Sequence, residues 1–244
     1  MRIKLVRTYD GTAYCGWQRQ KNGVSVQEIV EKAVEEVCGS RATVIGSGRT
    51  DSGVHAAAQV AHFDAECSIP PERIYLALNT RLPDDVKVVS SEKADDGFHA
   101  RFSAKKKTYA YDFYFSDVIL PLKDRYSLKL DVRPDFSLMR AAADVFCGEH
   151  DFAAFCGTGS SVKDTVRTVY SVDIDERQDG FTVKVTGNGF LYNMVRVMAG
   201  TILAAGYGEI SPEDISSALE SGKRSRYFKT LPAKGLTLLK VEYN

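Results

Sequence analysis

The 244-residue chain is short of the features that mark secreted, metal-binding or membrane proteins. Its five cysteines, Cys15, Cys38, Cys67, Cys147 and Cys156, are odd in number and scattered, with no C-x-x-C pair. That pattern suggests neither a disulfide framework nor a cysteine-built zinc site, and it points to reduced thiols in a cytosol. The four histidines, His55, His62, His99 and His150, show no H-E-x-x-H or similar spacing. No metal is expected, and a serine or cysteine triad has no distinctive support. Net charge is missing as well: 32 basic and 32 acidic residues cancel, so a nucleic-acid partner must be argued from local charge. The opening MRIKLVRTYDG has no apolar core of signal-peptide length and predicts a strand. Asn188 to Gly208 carries one charge only, Arg196. A membrane span is a poor reading of it, because an arginine near the centre costs about 2.5–3.5 kcal/mol on insertion scales.

What is present is an ordinary globular composition, 44% hydrophobic and 26% charged. With roughly 150 residues per domain as a prior, the length suits one large domain or two small ones. Ile3 to Tyr9 is β-rich and closed by Asp10-Gly11. Ser25 caps a helix to about Val37, with Glu28 completing a capping box and Val26, Ile29, Val30, Ala33, Val34 and Val37 on one apolar face. Short strands follow at Thr43 to Ile45 and Gln59 to Ala65, then a helix from about Glu72 to Arg81 that Pro83 stops, then a strand at Val86 to Val89. The order is β-α-β-β-α-β, the split unit of ferredoxin-like folds. It recurs with longer parts: strand Lys107 to Phe115, helix Phe136 to Phe146, strands Val166 to Ile174 and Phe181 to Thr186, helices Leu191 to Ala205 and Pro212 to Leu219, strand Leu236 to Tyr243. An α+β fold of two ferredoxin-like halves, 1–104 and 105–244, is therefore expected, with an active-site cleft between them.

One stretch concentrates chemistry. GSGRTDSGVHA, Gly46 to Ala56, sets Arg49 and Asp51 among three glycines between two apolar runs. Glycine permits positive φ and close backbone approach. In an extended chain residues two apart face the same way, so Arg49 and Asp51 could line one cleft. Asp-Ser-Gly is equally ordinary turn chemistry. Charge is segregated elsewhere. RFSAKKKTYAY, Arg101 to Tyr111, mixes basic side chains, Lys105, Lys106 and Lys107 among them, with aromatics and no acid. GKRSRYFKTLPAK, Gly222 to Lys234, does the same with Arg224, Arg226 and Lys229. Basic groups neutralise phosphates and aromatic faces stack on bases, so both segments suit RNA, and both are also compatible with solvated surface. Arg196 could lie on the solvent side of its helix, or could be buried and paired with Asp51, since an unpaired buried cation is costly.

YDGTAYCGWQRQ (Tyr9 to Gln20), GSGRTDSGVHA, ALNTRLPDDV (Ala77 to Val86), FHARFSAKKKTYAY (Phe98 to Tyr111), FLYNMVRVMAGTIL (Phe190 to Leu203) and LPAKGLTL (Leu231 to Leu238) occur in order over nearly the whole chain. Together they resemble the TruA family of tRNA pseudouridine synthases; a departure is Ser47, where family members often carry alanine. The resemblance implies that Asp51 is the catalytic residue, taken as the nucleophile although an ionised aspartate could instead deprotonate the sugar at C2′, and that Arg49 helps hold the target base or RNA out of the stack. It implies that Tyr109 stacks on the uracil and Arg196 pairs with the catalytic carboxylate. It further implies halves joined into one extended antiparallel sheet with helices on one face, and a homodimer that grips the anticodon stem-loop of tRNA. The expected reaction is isomerisation of uridine at tRNA positions 38, 39 and 40, in the cytoplasm and without cofactor, because it involves no net redox change or energy input.

Two rivals belong to other classes. Asp-Ser-Gly is also the tripeptide of aspartic proteases, whose dimer pairs two carboxylates, but Arg49 would oppose the shared proton such a dyad needs. A non-catalytic RNA-binding module is the other, and it predicts that Asp51→Ala loses nothing measurable.

Overall fold

The computed structural model describes residues 1–21, 23–159 and 162–243. Its strands are β1 (Arg2–Tyr9), β2 (Ile45–Gly46), β3 (His55–Asp64), β4 (Val86–Lys93), β5 (Lys106–Phe115), β6 (Leu128–Leu130), β7 (Gly148–Asp151), β8 (Val166–Arg177), β9 (Gly180–Gly187) and β10 (Leu236–Glu242). The α-helices are α1 (Val26–Cys38), α2 (Ile74–Asn79), α3 (Pro121–Asp124), α4 (Phe136–Val145), α5 (Met194–Gly206) and α6 (Pro212–Ser221). They divide into two compact units, Met1–Lys105 with Thr237–Asn244, and Lys106–Leu236.

In the first unit β1 buries alternate residues, the period-two pattern of a strand with one face on a core. It runs antiparallel to β3 on one side and to β4 on the other. The far edge of β3 is shared: β2 pairs antiparallel with Ala61 and His62, and β10 pairs parallel with His55 and Ala56. That parallel pairing is why β10 from Thr237 onward belongs with the first unit. Helix α1 begins at Ser25, whose Oγ accepts from the Glu28 N–H at 3.3 Å. The reciprocal half of the expected capping box is not formed there; a complete box opens α6, between Ser211 and Asp214. The expected helix at 72–81 splits into a 3-10 turn, Pro71–Arg73, and the short α2.

In the second unit β5, β9, β8 and β7 are successive antiparallel neighbours, and β6 adds parallel to β5. Helix α4 packs on β8, α5 on β5, and α4 also touches α5 and α6. The core is aromatic, with Phe113 stacked on Phe181 at 4.4 Å and Phe155 on Phe228 at 4.8 Å between ring centres. Helix α5 starts at Met194 rather than Leu191 because Asn193 takes a left-handed conformation, φ 59°, before it. No helix among the described residues is long and apolar enough to cross a membrane.

Candidate functional site

In the first unit the Gly46–Val54 loop, between β2 and β3, is held by the segment that follows β1. The Trp17 N–H donates to the Thr50 carbonyl at 3.1 Å, while Gly53 N–H and Ser52 Oγ donate to the Tyr14 carbonyl at 3.4 and 3.2 Å. Gly16, at φ 93°, permits this approach, because a Cβ there would collide with the Thr50 carbonyl oxygen. Within the loop the Val54 N–H donates to the Asp51 carbonyl at 3.1 Å, closing a turn in which Gly53 has φ 79°. Tyr9 OH and Thr50 Oγ1 share a 2.8 Å hydrogen bond. Burial pushes the Tyr9 phenol up to about 12, so it stays protonated and acts as a strut. The backbone around Asp51 is therefore pinned on both sides.

On this scaffold Asp51 is half-buried and Arg49 exposed. The Arg49 side chain makes no hydrogen bond or ion pair among the described residues, which leaves its five donors for an incoming group. The two side chains share a loop, but that loop turns at 51–54 instead of running as an extended strand. Gly11 N–H donates to His55 Nδ1 at 3.0 Å, so His55 serves the local backbone.

In the second unit Tyr109 lies on β5, opposite Val185, and is 8% exposed. The Phe190 ring meets it edge-on, with centroids 5.3 Å apart and planes at 90°, which fixes the orientation of the Tyr109 face. Arg196 is the one charged residue of α5, and it is half-buried. Its Nε donates to the Leu231 carbonyl at 2.7 Å and its Nη1 to Asn193 Oδ1 at 2.8 Å. Asn193 is the only described non-glycine residue with positive φ, a conformation asparagine tolerates. Asn193 thus orients the guanidinium, and this was not readable from the sequence. Tyr111 OH donates to the Pro232 carbonyl at 2.7 Å, tying β5 to the same segment.

The basic segments divide by role. Lys105 and Lys106 are exposed, Lys107 is half-buried, and the Lys106 ammonium lies 5.3 Å from the Tyr170 ring centre. Arg226 is exposed and stacks against Tyr227 at 4.9 Å, and Lys229 is exposed. Arg224 is different. Its Nε and Nη2 donate to the Phe228 carbonyl at 3.0 and 2.6 Å, Nη2 also to Thr230 Oγ1 at 3.0 Å, and Nη1 to the Cys156 carbonyl at 3.3 Å. Its guanidinium organises its own loop.

A profile of the family described as tRNA pseudouridine synthase matches residues 5–103 and 142–244. The chain belongs to the tRNA pseudouridine synthase family. It is similar to tRNA pseudouridine synthase A of Bacillus subtilis (strain 168), at 48% identity over 246 residues and 100% of both chains. It is also similar to the protein of that name from Clostridium acetobutylicum, at 45% over 241 residues and 99% of both. As a tRNA pseudouridine synthase the protein is an isomerase that converts uridine to pseudouridine in tRNA, which removes the protease and the non-catalytic module as readings. Among the described residues no three His, Cys, Asp or Glu side chains converge as a metal-holding group.

Proposed function

We propose that Asp51 is the nucleophile of this isomerisation, and that the enzyme acts as a cytoplasmic homodimer on uridines 38, 39 and 40 of the tRNA anticodon stem-loop. The observation that carries the first part is the pinned Gly46–Val54 loop, which presents a half-buried carboxylate two residues from an exposed, unpaired arginine. Pre-ordering a nucleophile on backbone that need not rearrange lowers the barrier. The Asp51 carboxylate attacks C1′, and the C1′–N1 electron pair leaves with the uracil. The uracil turns, C5 attacks C1′ and displaces the carboxylate, C5 gives up its proton and N1 takes one. Electrons and protons balance without a cofactor. Taking the base out of its stack costs a few kcal/mol, which stacking on Tyr109 partly offsets. Arg49 holds the displaced base or its phosphate, and Arg196 keeps the Asp51 carboxylate ionised.

The test uses tRNA tritiated at uracil C5. Wild type releases tritium without added cofactor, whereas Asp51→Ala and Asp51→Asn bind tRNA with near-native affinity and release it roughly 10⁴-fold more slowly or not at all. Wild-type release by either variant removes Asp51 from the chemistry. Substrates with uridine kept at only one of the three positions, and a light-scattering mass, test the remaining parts.

A further inference from the structure

Arg7 stands where the alternation of β1 would place an apolar residue. It shares the inward face with Ile3, Leu5 and Tyr9 and is 0% exposed. A guanidinium carries five N–H donors that burial leaves in need of partners. Nη2 donates to Gln59 Oε1 at 2.9 Å, and the guanidinium carbon lies 3.8 Å from the centre of the Trp17 ring. Nε and Nη1 have no hydrogen-bond partner, and no carboxylate among the described residues pairs with this cation. Burial draws its pKa down to about 9, which still leaves it charged at neutral pH. A buried cation so poorly compensated lowers folding stability. The β1 ladder slips between Arg7 and Tyr9 on the β3 side and between Val6 and Arg7 on the β4 side. Such irregularities re-aim a side chain and are frequent beside active sites.

Both contacts of the guanidinium lead to one loop. Gln59 accepts from Arg7 on its oxygen and donates its Nε2 to the Gly48 carbonyl at 2.9 Å. The cation fixes that amide, since turning it over would set an NH₂ group against the guanidinium and leave Gly48 without its donor. Trp17, whose ring lies against the guanidinium, donates its backbone N–H to the Thr50 carbonyl at 3.1 Å. Its indole also closes on Gly46, where a Cβ would stand 2.7 Å from Nε1. Gly46, Gly48 and Thr50 are the backbone on which Arg49 and Asp51 are carried.

We propose that Arg7 is a positioning residue, whose buried guanidinium sets the Gly46–Asp51 backbone for reaction through Gln59 and Trp17 at the expense of folding stability. The proposal rests on the reading of that loop as the reacting one. Methionine would fill the space without fixing Gln59, and lysine would keep the charge without the planar fork or the stack. A misplacement of about 1 Å at a reacting group costs roughly 10²-fold in rate.

The experiment measures tritium release from C5-labelled tRNA, tRNA affinity and Tm for Arg7→Met, Arg7→Lys, Gln59→Leu and the Arg7→Met/Gln59→Leu double variant. Arg7→Met is expected to melt above wild type while kcat falls roughly 10- to 100-fold and KM moves less than twofold. Gln59→Leu is expected to lose kcat similarly, and the double variant to be no slower than the slower single one, because the two act in series. Wild-type kcat for Arg7→Met, losses that multiply in the double variant, or a fall in Tm with kcat kept would each overturn the proposal. If Arg7→Met does not fold, Arg7→Lys decides: reduced kcat at unchanged KM supports the proposal and wild-type kcat overturns it. Wild-type turnover by Asp51→Ala would remove the reading of the loop, a result distinct from any of these.

Discussion

The Gly46–Val54 loop and the Gly222–Lys234 segment are both irregular, and they differ in what their own arginines do. The first has its carbonyls satisfied by other parts of the chain, at Gly48 by Gln59 and at Thr50 by Trp17, while its own arginine, Arg49, stays exposed and unpaired. The second is also supported from outside at Leu231, by Arg196, and at Pro232, by Tyr111, but its 224–230 turn is held by its own arginine, since Arg224 donates to the Phe228 carbonyl and Thr230 Oγ1 and ties the turn to the Cys156 carbonyl. An arginine whose donors are spent on its own loop has none left to close on a phosphate, whereas Arg49 keeps all of its donors. Counting basic residues therefore overstates how many can meet a phosphate.

The largest effect that would break this contrast is at Gly16. Gly16→Ala forces an alanine to φ 93° and drives its Cβ into the Thr50 carbonyl, so external support of the first loop is lost. Urea unfolding should show a loss of about 2–4 kcal/mol, with most tritium release abolished in the folded protein. Next is Arg224→Ala, which removes the donor to the part-buried Phe228 carbonyl and to the Cys156 carbonyl and should lower stability by about 0.5–1.5 kcal/mol, read in the same way. The salt dependence of tRNA binding should hardly change, because that guanidinium is already engaged. Smaller again are Arg226→Ala and Lys229→Ala, each within about 0.5 kcal/mol of wild type in stability. Each should instead reduce the slope of log affinity against log salt by about 1 if its charge meets a phosphate.

The smallest effect concerns a surface pair in the first unit. Arg2 grips both oxygens of Asp64, at 2.9 and 2.7 Å, and holds that carboxyl below its ordinary value of 3.8. A carboxyl whose folded pKa is depressed stabilises fully above its unfolded value, and the stabilisation fades as pH falls through the folded one. The difference between wild type and Asp64→Asn should thus be present at neutral pH and shrink below about pH 4. It should be small throughout, because the Asp64 side chain is 60% exposed.

Elements with strong periodicity were legible. The alternation of Ile3, Leu5 and Tyr9 and the apolar stripe of Val26, Val30, Ala33 and Val34 appear in the structure as β1 and α1. The sequence GEHD gave no sign of β7, being short and wholly polar, and it pairs because Val166 to Val169 of β8 supplies its ladder. Composition also picked out Gly46 to Ala56, since three glycines around Arg49 and Asp51 are a local signal. The inward burial of Arg7 had no such signal, because a single arginine in a strand does not say which face it takes. Nor did the loop-holding role of Arg224, which looks like any other basic residue until its partners are in place.

The strongly periodic elements, their order along the chain and the family are properties of neighbouring residues, and the amino-acid string was sufficient for them. Which carbonyl each arginine satisfies, and that β10 returns to pair with His55 and Ala56, depend on segments far apart in sequence. Hydrogen bonds and close contacts form only between groups that packing brings within about 3–4 Å, so those decisions belonged to the tertiary structure.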